Sequence, residues 1–308
     1  MATRTDRDVS ALRFLRERFG PDAHIAAMRP GEWSAVYSVR TSDADLVARF
    51  SAYDEDFEKD AYAARYSSAA LPIPPIIEWG PAADGFYAVA PRAHGEHIDG
   101  LDEERMRRVL PSLFAALDAL REVKPAGTGF GGWRADGRTT HASWRAWLVG
   151  FVDEPATRGA PGWRELLEGS PPSFAAFEEG YARLSQRVDL CPEERYLVHD
   201  DLINRNVLVD SDRITALLDW GSSIYGDFVY DIAKLVFYQP WFPAWHSIDF
   251  AAETRAHYDA IGFAVPRFTE RLSCYTLRIG LADMAYSAWR KRWEEVERKA
   301  RRLLEVSA

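Results

Sequence analysis

The sequence predicts an α+β chain of two lobes, a small strand-rich one followed by a larger, mainly helical one. Three observations carry this. The chain has 308 residues, enough for two units at the usual ~100–200 residues per domain. Period-two apolar alternation is confined to the first 90 residues, whereas helical spacing dominates after residue 100. With 47% hydrophobic, 28% charged and 13% aromatic residues, the chain can bury a sizeable core.

Taken in order, residues 5–20 place Val9, Leu12, Leu15 and Phe19 at helical spacing and end on Gly20. Ala35–Val39 and Leu46–Phe50 alternate apolar and polar residues across a turn-like Thr41–Asp45, which predicts a hairpin. Residues 54–68 read as a helix, closed by Leu71-Pro72-Ile73-Pro74-Pro75. Ile76–Trp79 and Phe86–Ala90 are two further strands about a turn at Pro81–Gly85. The first lobe is therefore expected at 1–90, a connector at 91–96 and the second lobe at 97–308. In that second lobe, helices are predicted at Glu104–Leu120, Ala142–Val152, Ser173–Val188 and Leu272–Val306, with a Gly/Trp-rich loop at Gly127–Gly137. One strand-like island interrupts them, at Tyr196–Val198, Val207–Val209 and Ile214–Leu218.

Several function classes recede on composition. No run of ~18 apolar residues exists and the first 25 residues mix charge with apolar positions, so neither a membrane span nor a signal peptide is expected. Two cysteines, Cys191 and Cys274, cannot staple a chain of this size; a reducing, cytoplasmic setting is the expectation. A net charge of −9 disfavours nucleic acid and suits a cationic small molecule or no charged partner at all. The histidines other than His199 lack metal-ligand spacing, and the basic tail Arg290–Arg302 is interleaved with Glu294, Glu295 and Glu297 as on a solvated helix face. A monomer or homodimer is expected.

The chemistry concentrates in Tyr196–Val209. His199 and Asp201 are followed by Asn206 and an apolar strand, and Asp219 ends a second strand within Leu218-Asp219-Trp220-Gly221. Asn204 and Asn206 are the only asparagines in the chain, so their placement here is not a matter of composition. Phosphoryl transfer from a nucleoside triphosphate needs such a set: a carboxylate to orient and deprotonate an alcohol, and an amide oxygen with a second carboxylate to hold magnesium on the phosphates. Two adjacent strand ends bring the three within reach, with His199 as scaffold.

These residues resemble the catalytic and metal-binding motifs of the aminoglycoside phosphotransferases, relatives of the protein kinases. Ser67–Pro74, Arg213–Trp220, Tyr225–Asp227, Pro240-Trp241 and Leu277–Leu281 are similar to the hygromycin B phosphotransferases in particular. The resemblance runs from about Gly31 to Ala288 and is strongest at 66–80 and 195–241. It implies a two-lobed, protein-kinase-like fold, ATP or GTP as co-substrate with Mg2+, and an antibiotic hydroxyl as acceptor.

Carried across residue by residue, the resemblance implies that Asp201 is the catalytic base and that Asn206 and Asp219 are the metal ligands. Gly31 and Ser34 fall in the nucleotide-covering loop, which has one glycine where a protein kinase has three. Ala90 falls at the nucleotide edge of the connector. Arg49 takes the place of the usual strand lysine, and Asp60, one methylene shorter than the usual glutamate, is its helix partner. Asp227 and Asp231 are expected to cap a helix start and brace the catalytic loop, alongside His199. For a polycationic acceptor, carboxylates and aromatic faces are the natural partners; the candidates are Asp200, Asn204, Tyr238, Trp241, Trp245 and Asp283. Asp200 either grips a cation or raises the pKa of the neighbouring base. Other acceptors remain open: a nucleoside or macrolide antibiotic, a small metabolic alcohol, or none at all in a non-catalytic nucleotide-binding relative.

Overall fold

The structure, a computed structural model, describes residues 4–82, 85–153 and 161–307. In chain order these form α1 (Arg4–Phe19), β1 (His24–Ala27), β2 (Ser34–Arg40), β3 (Asp45–Ser51), α2 (Glu55–Ala63), β4 (Glu78–Ala82), β5 (Gly85–Pro91) and β6 (Glu96–His97). There follow α3 (Glu103–Glu122), β7 (Phe130–Trp133), β8 (Thr139–His141), α4 (Trp144–Gly150), α5 (Trp163–Glu168), α6 (Pro171–Arg187) and β9 (Tyr196–Val198). The chain closes with β10 (Val207–Asp210), β11 (Arg213–Leu217), β12 (Ile224–Gly226), α7 (Val229–Tyr238), α8 (Phe250–Ala260), α9 (Phe268–Trp289) and α10 (Trp293–Ser307).

The first five strands make one antiparallel sheet in the order β1-β2-β3-β5-β4. Alternation fixes its faces: Tyr37, Val39, Ala48 and Val89 point inward against Leu15 and Ala11 of α1 and form a small core of their own. The second, larger core lies among the helices, with α7 and α9 packed at its centre and Phe237, Tyr275, Leu277 and Leu281 fully enclosed. Two small sheets, β11-β10-β6 and β8-β7-β12-β9, sit beside the second core and carry the catalytic loop between β9 and β10.

The Ser67–Pro74 stretch is a strap between the two cores. Ser67 Oγ accepts from the Ile73 amide and Ser68 Oγ from the Leu71 amide, and the Pro72 carbonyl accepts from Leu217 at the end of β11. The serine hydroxyls thus accept from the amides of Leu71 and Ile73, in a stretch whose prolines have no N–H to donate.

Three expectations need correction. The Gly/Trp-rich loop at 127–137 contains a strand, β7, paired with β8 and β12, because Trp133 and Phe130 have a buried face to fill. The expected turn at Pro81–Gly85 is narrower, since Pro81 and Ala82 still pair with Phe86 and Gly85; residues 83 and 84 lie outside the described residues. The helix read over Leu272–Val306 is two helices. Lys291 takes a left-handed φ of 57°, the Arg292 amide returns to the Ser287 carbonyl, and α10 folds back with Val296, Ala300 and Leu303 buried at helical spacing.

Candidate active site

The spacing of Asn206 and Asp219 is the length of a hairpin. β10 and β11 pair antiparallel with Val207 opposite Leu217, so the residues just outside the pair also face each other, and the Leu218 amide donates to the Asn206 carbonyl at 2.7 Å. Asp219 follows immediately. Asn206 Nδ2 donates to Asp201 Oδ2 at 2.8 Å and to the Asp201 carbonyl at 3.0 Å, which leaves its Oδ1 as the atom available to a cation.

Asp201 is held on both oxygens, since Asn204 Nδ2 donates to Oδ1 at 2.8 Å. Burial pushes its carboxyl up to about 7, against the downward pull of Lys234 and the Asn204 hydrogen bond. One N–H of the Asn204 amide is thus engaged with Asp201, while the residue itself is exposed and lines the cleft.

His199 is fully buried with its ring against Trp220. Burial lowers it to about 4, so the ring is neutral: Nδ1 accepts from the Asp201 amide at 3.2 Å, and Nε2 lies 3.0 Å from the Leu218 carbonyl as donor. The ring therefore ties the base to the strand that delivers Asp219. Asp231, on α7, accepts from the amides of His199 and Asp200 at 3.0 and 2.8 Å and braces the loop from below. Asp227 has a different duty. It caps α7 at Val229 and accepts from Arg271 and Tyr275 of α9, so it anchors a helix and does not touch the catalytic loop.

Strain gathers at this site. Asp200, Asn204, Arg205 and Asp219 all have φ between 57° and 72°, four of the seven non-glycine residues with positive φ among those described. A left-handed backbone at a non-glycine residue costs on the order of 1–3 kcal/mol, so the surrounding bonds must over-determine it.

The opposite wall comes from β3 and α2. Arg49 Nη1 donates to Asp60 Oδ2 at 2.8 Å, and its Nη2 lies 3.6 Å from Asp219 Oδ1, so the expected cation–acid pair is formed and reaches the Asp219 carboxylate. Asp60 Oδ1 also accepts from the Trp220 amide at 2.8 Å. Burial raises Asp60 to about 6 while Arg49 pulls it down. Lys59, next on the same helix and buried, donates to the carbonyls of Gly221 and Ser223 at 2.9 and 3.1 Å. A Cβ on Gly221 would lie 2.3 Å from Asp56 Oδ1, so glycine is required for α2 to dock on this turn.

Between the walls lies a cleft of about 350 Å³. Gly31, Ser34, Arg49, Asp60, Ala90, Asn206 and Asp219 line it, all drawn from the predicted site. Val36, Val47 and Ala88 of the first sheet and Leu208 and Leu217 of the β10–β11 hairpin give it an apolar lining as well. The loop above the cleft is fastened across it. Glu32 pairs with Arg290 and Arg292 at 3.1 and 2.6 Å, and Trp33 stacks on Trp289 at 6.3 Å.

The acceptor candidates divide. Asp200, Tyr238 and Asp283 come together around Lys234: its Nζ is 3.4 Å from Asp200 and 3.6 Å from Asp283, whose carboxylate also accepts from the Tyr238 hydroxyl. Trp245 is 0% exposed and packs on Phe242 and Phe250, so it is a core residue that no ligand reaches. Trp241 is committed to α10, its Nε1 donating to Glu295 and its ring covered by Phe237 and the Arg298 guanidinium. An aromatic run with period-three apolar neighbours reads the same in sequence whether it lines a pocket or a core.

Sequence reasoning missed Lys59, Lys234, Trp33 and the Glu32 clasp. A signal existed for the lysines. The chain has five lysines among 38 basic residues; Lys234 stands between Ala233 and Leu235 in an apolar helical run, and Lys59 between the acids Glu58 and Asp60, each a setting for a paired lysine.

Residues 27–269 match the APH family, described as a phosphotransferase enzyme family. The chain belongs to that family. A protein named hygromycin-B 4-O-kinase from Escherichia coli is 30% identical over 282 residues, covering 91% of this chain and 79% of that one. Among solved structures, a thermostable mutant of aminoglycoside phosphotransferase APH(4)-Ia, in ternary complex with AMP-PNP and hygromycin B, superposes with a TM-score of 0.84 at 27% identity over 97% of this chain and 98% of that one. Aminoglycoside phosphotransferase APH(3'')-Id from Streptomyces rimosus shares the fold, with a TM-score of 0.60 at 19% identity over 89% of this chain and 98% of that one. No helix among the described residues is long and apolar enough to cross a membrane.

Proposed function

We propose that this member of the phosphotransferase family moves the γ-phosphoryl group of ATP or GTP to a hydroxyl of an aminoglycoside, with hygromycin B the first acceptor to try and drug inactivation the outcome. Residues 1–90 supply the nucleotide lid, 91–96 the connector and 97–308 the catalytic and acceptor face. The observation that carries the reading is the convergence of Asn206, Asp219 and Arg49 on one cleft, with Asp201 hydrogen-bonded to Asn206. Likeness to a hygromycin-B kinase and to a structure holding hygromycin B supports the choice of acceptor.

In this mechanism Asp201 accepts the hydrogen bond of the acceptor hydroxyl and takes its proton as the oxygen bonds to the γ-phosphorus and the bridging oxygen to the β-phosphate departs with the nucleoside diphosphate. The donor set suits a small hard cation, since Asn206 Oδ1 and the Asp219 carboxylate, 47% exposed, offer two oxygens and leave the remaining positions to phosphates and water. Magnesium there would neutralise charge on the β- and γ-phosphates. Arg49, fixed by Asp60, faces the non-transferred phosphates with a permanent charge. The Trp33–Trp289 and Glu32–arginine contacts hold the lid over the reacting groups and limit hydrolysis.

The test is nucleoside diphosphate release by the purified protein with Mg2+ and either nucleotide, measured across aminoglycosides, nucleosides and small alcohols. Release that depends on an aminoglycoside is expected; release with none of that class, or equally with all alcohols, contradicts the assignment.

A further inference from the structure

Lys234 stands where the acceptor pocket should be most anionic. Three separate elements meet on it: Asp200 from the loop before the base, Lys234 and Tyr238 one turn apart on α7, and Asp283 from α9. The side chains of Asp200, Lys234 and Asp283 are 18%, 12% and 24% exposed, so the cluster is recessed yet still opens on the surface beside Asp201. Without Lys234, the acids Asp200, Asp201 and Asp283 would form a nest for a ligand bearing two or three ammonium groups. Two further cations lie behind the cluster and draw on the Asp283 carboxyl from there, with no ion pair to Asp200 or Asp283 among the described residues. Lys299 donates to the Asp283 carbonyl and Ser287, and Arg278 lies over the rings of Trp147 and Phe151.

An ammonium has three N–H donors, and the two carboxylates face two of them. A ligand ammonium brought to the same place would meet a like charge in a poorly hydrated corner. A ligand hydroxyl would find a donor in Lys234 and acceptors in the carboxylates.

We propose that Lys234 is a specificity-determining residue: its ammonium occupies one cation subsite of the acceptor pocket, so that the acceptor docks on this wall through hydroxyl groups, and acceptors needing an ammonium contact there are excluded. The proposal rests on the reading that the acceptor lies against Asp200 and Asp283.

Lys234→Met keeps the length of the stem and removes the charge. In the variant, kcat/KM for a deoxystreptamine aminoglycoside with four or more amino groups should rise at least about tenfold relative to that for hygromycin B. A purely structural role would depress both acceptors alike, and an unchanged ratio overturns the proposal. Lys234→Arg should keep the wild-type ratio. Binding of spermidine, a plain polyammonium probe, is followed in parallel by calorimetry and needs no turnover. It should be about tenfold tighter in Lys234→Met than in wild type, and equal affinity refutes the assignment. If wild type phosphorylates no aminoglycoside, the acceptor class falls, while the spermidine comparison still decides the role of Lys234. Lys234→Gln, which keeps a donor for the carboxylates, takes the place of Lys234→Met in both measurements should the latter not fold.

Discussion

Two lysines flank the catalytic loop, Lys59 buried and Lys234 half-buried, and they are held by different partners. On α2, Lys59 donates to the carbonyls of Gly221 and Ser223 and pairs with Glu55 one turn back at 3.4 Å, so its charge fixes the position of the turn that places Asp219 beside Arg49. On the acceptor side, Lys234 lies between two carboxylates and compensates charge directly. Burial opposes the Lys234 ammonium, but Asp200 and Asp283 together raise it well above the ordinary lysine range, so it stays charged. The wall of the cleft at α2 thus combines hydrogen bonds to backbone with the Arg49–Asp60–Asp219 charges. Around Lys234 the order comes from side-chain charge alone, which makes this the wall where a single substitution should have the larger effect on acceptor choice.

The comparison can be broken most severely at the residue the two walls share. Asp201→Asn should lower kcat by about 10²–10⁴-fold with little change in nucleotide affinity, read by single-turnover kinetics beside a nucleotide titration. Lys59→Met should cost about 10–100-fold in kcat and raise the nucleotide KM, because the turn that aims Asp219 loses both of its carbonyl contacts. A smaller effect limited to the acceptor KM would mean that the two walls are not separate. Trp245→Ala tests whether that indole is core. It should destabilise the protein by about 3–5 kcal/mol in denaturant titration, while the folded fraction keeps its acceptor KM.

Acidity sharpens the contrast further. Asp201 must be ionised to accept a proton, and burial holds its pKa at about 7, so kcat/KM should fall as pH drops below neutrality. Lys234 pulls that value down, with the Asn204 hydrogen bond helping and Asp219 and Asp200 opposing. Lys234→Met should therefore move the acid limb to higher pH, whereas Lys59→Met should leave it in place. The smallest effect belongs to the rim. Glu32→Gln should change acceptor kcat/KM only a few-fold, as about 0–1 kcal/mol is usual for a partly exposed ion pair.

How much of this was legible follows from distance along the chain. Asp201, Asn206 and Asp219 could be read because one loop and one hairpin set their geometry, with the Val207–Leu217 register converting spacing into proximity. The Arg49–Asp60 pair lay eleven residues apart and was found through resemblance. Lys234 meets Asp283 only because α7 packs on α9, and Glu32 meets Arg292 across 260 residues; no local pattern encodes either. Trp241 and Trp245 failed for the same reason, since an aromatic residue has no sequence mark of the face it turns to solvent.

The central claim is best tested by following the phosphorus itself. Purified protein is incubated with Mg2+, ATP and hygromycin B, and the mixture is read by 31P NMR for wild type and Asp201→Asn side by side. The account predicts a phosphomonoester on a single hydroxyl of the drug, formed by wild type and lost in the variant. Inorganic phosphate without a phosphomonoester, or the same ester from Asp201→Asn at an undiminished rate, would contradict it.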